Sequence, residues 1–201
     1  MNYPATKRSL LLALSPLVLI LAVAAGCGND KDEPLSSTRH NDADVAFATD
    51  MIQHHAQALA MVNLTVERPL DPEVKAVTEG IRAAQAPEIE TMVDWLQEWD
   101  EDVPETVNDH MNHDMGTTPE GTDEMPGMMS AEEMKELEEA PDSEFQKLWL
   151  EMMVEHHRGA IEMAGTEVED GRYQPAVDLA KSIVSSQSDE VEELKRLIAG
   201  L

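Results

Sequence analysis

Met51-Ile52-Gln53-His54-His55-Ala56-Gln57-Ala58-Leu59-Ala60-Met61 has a counterpart 102 residues further on, Met153-Val154-Glu155-His156-His157-Arg158-Gly159-Ala160-Ile161-Glu162-Met163, aligned without a gap. The same offset pairs Ile81 with Ile183, Gln85 with Gln187, Glu88 with Glu190 and Ile89 with Val191. A register held over so long a span marks an internal duplication. Each copy repeats its apolar residues at helical spacing. In the first, one stripe runs Val45, Ala48, Ile52, His55, Leu59, Val62, Val66, and beside it run Phe47, Met51, His54, Ala58, Met61. Asp50, Gln53 and Gln57 fall on the other side, so the pattern predicts an amphipathic helix from Asp44 to about Glu67.

Working outward, Arg68-Pro69-Leu70 interrupts this helix, and Asp71-Pro72 restarts one with a cap and a first-turn proline. The second helix is expected to reach about Trp99, with a kink at Pro87. From Glu101 to Met129 the periodicity is lost among Pro, Gly, Thr, Asp and Glu. Ser130-Ala131-Glu132-Glu133 then reads as a capping box that opens a short helix ended by Pro141. Asp142 starts a third long helix that repeats the first, Asp170-Gly171 turns the chain, and a fourth runs from Pro175 to Gly200. No strand-like alternation is present. Two similar helical hairpins joined by a long connection predict an all-α, ferritin-like four-helix bundle over residues 43–201, with one crossover that returns along the bundle.

Ahead of this domain, Lys7 and Arg8 precede an apolar run from Leu10 to Ala25, which reads as a signal peptide over residues 1–26. The run is short and ends in small residues, unlike a spanning helix. Its Ala-Ala-Gly-Cys end resembles a bacterial lipobox, although Ala24 stands where that pattern prefers Leu. The resemblance implies a lipidated Cys27, a membrane anchor and an extracytoplasmic location. Residues 27–42 mix charge with Gly, Pro and Ser and read as a flexible tether. With one cysteine, the chain forms no internal disulfide. The formal charge of −27 argues against nucleic acid and anionic lipid headgroups as partners, and favours cations.

The histidines carry the functional reading. Each His-His pair lies near the middle of its helix, where two pseudo-symmetric hairpins would bring both pairs together in the core. Met51 stands three and four residues before His54 and His55, as Met153 does before His156 and His157, so thioether and imidazole share a face. A ferritin-like di-iron centre would require Glu-x-x-His, whereas here the spacing is Met-x-x-His, with Glu88 and Glu190 available on the partner helices. Thioether and imidazole suit Cu(I), with Cu(II) also open, better than harder ions. Buried core histidines that only satisfy one another are the plainer alternative. The connection adds His110-Met111-Asn112-His113-Asp114-Met115 and, further on, Met125, Met128 and Met129, at positions where no core is expected to need them. Soft-metal capture accounts for them, and ordering of this segment on metal binding is expected. An incidental Met cluster in an acidic linker is the alternative.

Met51-x-x-His54-His55-x-x-Ala58-x-x-Met61, Met153-x-x-His156-His157-x-Gly159-Ala160-x-x-Met163, Gly127-Met128-Met129-Ser130-x-Glu132-Glu133-Met134 and Gln85-x-x-Glu88-Ile89 together resemble the domain of unknown function 305 family. The resemblance implies a secreted, ferritin-like four-helix protein with copper handling, and no established reaction. One departure is Ser188-Asp189 in the second half against Ala86-Pro87 in the first. The expectation is therefore an extracytoplasmic copper-binding lipoprotein for sequestration, resistance or transfer to a partner protein not identified by the sequence. A ferritin-like oxidase or ferroxidase and a metal-free structural module are the alternatives. If neutral imidazoles hold the metal, binding should weaken as pH falls through about 6.5, the unperturbed histidine value.

Overall fold

The computed structural model describes residues 34–106 and 125–201, and the described chain is helical apart from its connections. The helices are α1 (Asp42–Asn63), α2 (Pro72–Glu98), α3 (Ala131–Glu139), α4 (Asp142–Asp170) and α5 (Gln174–Ala199). Among the described residues, none of them is long and apolar enough to cross a membrane.

Helix α1 begins in a capping box. Asn41 Oδ1 accepts from the N–H groups of Ala43 and Asp44, and Asp44 Oδ2 accepts from the N–H of Asn41. Ser130 and Glu133 make the same reciprocal pair at α3, as their spacing predicts. The expected side-chain cap of α2 is absent. Asp71 makes no cap bond, because its carboxylate instead accepts from Gln146 Nε2 at 2.8 Å. Helix α2 continues through Pro87, and α1 ends at Asn63, short of the expected Glu67.

The ends of α1 and α4 reveal the topology. Asn41, at the start of α1, donates to the carbonyl of Asp170 at the end of α4. Trp149, near the start of α4, donates from Nε1 to the carbonyl of Met61 near the end of α1, at 3.0 Å. The two helices are therefore antiparallel. Trp99, just past α2, stacks on His40 beside the start of α1, so the end of α2 and the start of α4 lie at opposite ends of the bundle. This is the ferritin-like arrangement with one long crossover.

The duplication extends to the clasps that join the hairpins. Asp44 of α1 accepts from the N–H of Tyr173 in the α4–α5 turn, and Gln146 of α4 accepts from the N–H of Asp71 in the α1–α2 turn. Each pair repeats the other at the 102-residue offset, so the hairpins are related by a pseudo-twofold axis.

Two parts of the chain depart from the expected layout. The segment read as tether is docked onto the domain from Ser36 onward: Ser36 donates to the carbonyl of Arg172 and accepts from the N–H of Gln174. Likewise, Met129 at the end of the crossover is a core residue, packed with Trp149, Leu137 and Met153. Composition could not show either, because the partners lie far away in sequence.

Candidate metal centre

The bundle core is split across its middle. One apolar cluster includes Ala58, Met61, Ile81, Trp149, Met153 and Leu194. The other includes Phe47, Met51, Ile52, Met92, Ala160 and Ile183. Between them each long helix contributes polar side chains: His54 and His55 from α1, Gln85 and Glu88 from α2, His156 and His157 from α4, Gln187 and Glu190 from α5. The four histidines are fully or almost fully buried, which satisfies the expectation that the two pairs meet in the core.

Adjacent residues on a helix point about 100° apart, and each pair divides its tasks accordingly. His54 and His156 face one another across the pseudo-twofold axis with ring centroids 3.8 Å apart. His55 and His157 turn towards their own hairpins, where His55 Nε2 meets Glu88 Oε2 at 2.8 Å and His157 Nε2 meets Glu190 Oε2 at 2.6 Å. The Glu88 and Glu190 side chains retain 19% and 27% exposure, so they reach from the layer to solvent.

Each remaining contact leaves a nitrogen open. His54 Nε2 lies 3.0 Å from the carbonyl oxygen of Pro126. A carbonyl only accepts, so Nε2 carries the hydrogen and Nδ1 presents a lone pair. Nδ1 of His54, His55 and His157 and both ring nitrogens of His156 have no hydrogen-bond partner in the protein. Gln85 Oε1 and Nε2 and Gln187 Oε1 are likewise buried without one. Leaving a buried polar group unsatisfied costs about 1–3 kcal/mol each, so these atoms favour a partner from outside the chain.

Burial governs the protonation of the facing pair. Loss of hydration, followed by the electrostatic effect of the neighbouring His55, pushes the His54 pKa down to about 3, against a partial opposing effect of the Pro126 carbonyl. His156 is held well below the usual histidine range by burial, then by His54 and His157, against a partial opposing effect of the His54 backbone. Both are neutral, which is the ligating form of imidazole.

The thioethers flank this layer. Met51 and Met153 are fully buried one turn before their histidines. Because α1 and α4 are antiparallel, Met51 borders the layer from one core cluster and Met153 from the other. Met61 and Met163 stand two turns beyond His54 and His156, each packed in the cluster opposite its nearer counterpart. His110, Met111, His113 and Met115, like Cys27, lie outside the described residues. Among the described residues, no group of three or more His, Cys, Asp or Glu stands close enough together to hold a metal ion.

Sequence reasoning missed Gln57, which it placed on the outer side of α1. Gln57 is buried, its Nε2 donating to the carbonyl of Met129 and its Oε1 accepting from the N–H of Met129, both at 2.7 Å. Gln85 and Gln187 mark the duplication, and Gln85 the family motif, but neither is expected from the sequence as part of the site. Their matched recurrence within a buried stretch was the available signal.

The family profile named Domain of unknown function (DUF305) matches residues 44–198. The chain belongs to the DUF305 family. A solved DUF305 structure, a candidate secreted protein from Streptomyces coelicolor, is 32% identical, with 79% of this chain and 91% of that one covered and a TM-score of 0.65. A DUF305 fragment from Deinococcus radiodurans is 25% identical over 84% of this chain and all of that one, with a TM-score of 0.67. CopM in its Cu(II)-bound form is 25% identical over 78% of this chain and 96% of that one, with a TM-score of 0.63. Among curated proteins, none matches this sequence.

Proposed function

We propose that this DUF305 protein binds copper in the histidine layer, outside the cytoplasm, and holds it or passes it on without transforming it. The observation that carries this reading is the set of buried imidazole nitrogens without partners at the centre of the bundle. Metal-ligating histidines commonly donate their second ring N–H to a carboxylate or a backbone carbonyl. Glu88, Glu190 and the Pro126 carbonyl occupy those positions for His55, His157 and His54. Met51 and Met153 supply the soft donors that favour Cu(I), an ion that accepts few ligands. The likeness to CopM in its Cu(II)-bound form supports copper as the metal. The signal-like leader and Cys27 support export and a lipid anchor.

The pH expectation is revised by burial. In the folded protein His54 gains a proton only near pH 3, so proton competition at the facing pair sets in well below the free-histidine value. The test is anaerobic titration with Cu(I) against a chromophoric competitor, alongside Cu(II), Zn(II) and Fe(II), with helicity followed by circular dichroism. The double variant His54→Ala/His55→Ala and its counterpart His156→Ala/His157→Ala should each abolish binding at a shared site. Loss of half in each means two sites. Full binding in both makes the histidines structural and defeats the proposal, and tight stoichiometric iron would point to an oxidase.

A further inference from the structure

His54 and His156 are equivalent by the 102-residue offset and face each other, yet only His54 has a ring nitrogen engaged outside the layer. The difference is made by one short piece of the crossover, Met125 to Met129, which lies across α1 and α4 at mid-height.

This strap is held at two positions that are themselves equivalents, Gln57 on α1 and Gly159 on α4. Gln57 clamps Met129 through two buried hydrogen bonds of 2.7 Å. Gly159 lets the strap settle: a Cβ there would stand 1.9 Å from the Pro126 carbonyl oxygen and 2.7 Å from Gly127 Cα. Gly127 itself has φ +75°, and a Cβ on it would meet the Glu155 carbonyl oxygen at 2.6 Å. Glycine is thus required on both sides of the crossing, once for backbone conformation and twice for space. The result of this close fit is a carbonyl aimed at His54 Nε2.

We propose that the strap is a positioning device. It locks His54 as the tautomer whose Nε2 carries the hydrogen and whose Nδ1 keeps its lone pair, and it gives His156 no matching contact, so the halves of the duplicated site are not equivalent. Gln57 and Gly159 are its positioning residues. The consequence for copper rests on the function proposed above; the tautomer assignment does not. A preset imidazole loses no orientational freedom on binding, whereas an adaptable one can follow the metal in or out. The device therefore makes His54 the anchoring ligand and His156 the exchanging one.

The experiment uses full-length protein with labelled histidine. Long-range proton–nitrogen NMR of the metal-free form at neutral pH should show His54 wholly protonated at Nε2 and His156 as a mixture. In Gln57→Ala and in Gly159→Ala, His54 should become a mixture too, and Cu(I) affinity should fall on the order of tenfold, the lower end for loss of a ligand's outer partner. Should Gly159→Ala fail to fold, Gln57→Ala carries the test. A mixed His54 in the unaltered protein overturns the proposal. So does an unmoved His54 tautomer in the variants, or a scrambled one with copper affinity unchanged, in which case the copper reading survives. No copper bound by the unaltered protein sinks the copper reading and the anchoring role with it, whatever the tautomers.

Discussion

Replacing His54 by glutamine should remove part of the protein's sensitivity to acid. Folded His54 stays neutral down to about pH 3, because burial opposes its charge. In the unfolded chain it takes a proton near 6.5. Between those values the unfolded state binds more protons, so the stability that His54 contributes is present above 6.5 and is lost as pH falls towards 3. Each pH unit of difference is worth about 1.4 kcal/mol, so lowering pH from 7.5 to 5.5 crosses roughly one effective unit and removes on the order of 1–2 kcal/mol. His156 acts in the same direction. Glu167 opposes both: burial, then Asp44, raises its pKa to about 9, so acidification relieves it. The test must therefore be a difference between proteins. Urea unfolding of metal-free wild type and His54→Gln at pH 7.5 and 5.5 should show the wild type losing that amount relative to the variant, a fraction of a molar in midpoint. Equal shifts in the two proteins would refute the claim that His54 is folded as a neutral, unhydrated imidazole.

Trp149→Phe should cost about 1–3 kcal/mol in chemical denaturation, because the buried Met61 carbonyl at the end of α1 loses its Trp149 donor; an unchanged midpoint would mean that water replaces it. Glu167→Gln should steepen the loss of stability on acidification below pH 7.5, since it removes a group that binds its proton more tightly in the folded state; a wild-type-like profile would show that Glu167 is ionised there. Cys27→Ser should move the protein from the membrane fraction to the soluble fraction or block its processing, and mass spectrometry of an unmodified mature chain starting elsewhere would rule out the anchor.

The duplicated stretches were enough to specify helices, hairpins and the place of the histidines. Helical periodicity is a local property, and a repeated register forces equivalent residues towards a common axis. The crossover's direction was also legible, since its length allows a return along the bundle. What lies on the outer side of a helix is not local. Gln57 looked solvent-facing because period alone cannot tell water from a strap that arrives 72 residues later. Met129 looked like a spare thioether for the same reason, and residues 36–41 looked like tether because their partners are Asp170, Arg172 and Gln174. The sequence by itself determined that the two histidine pairs lie at mid-bundle, each with a methionine one turn before it. Only the tertiary structure decided which imidazole nitrogens are engaged and that the two halves differ, because one carbonyl from an asymmetric connection reaches one of two equivalent histidines.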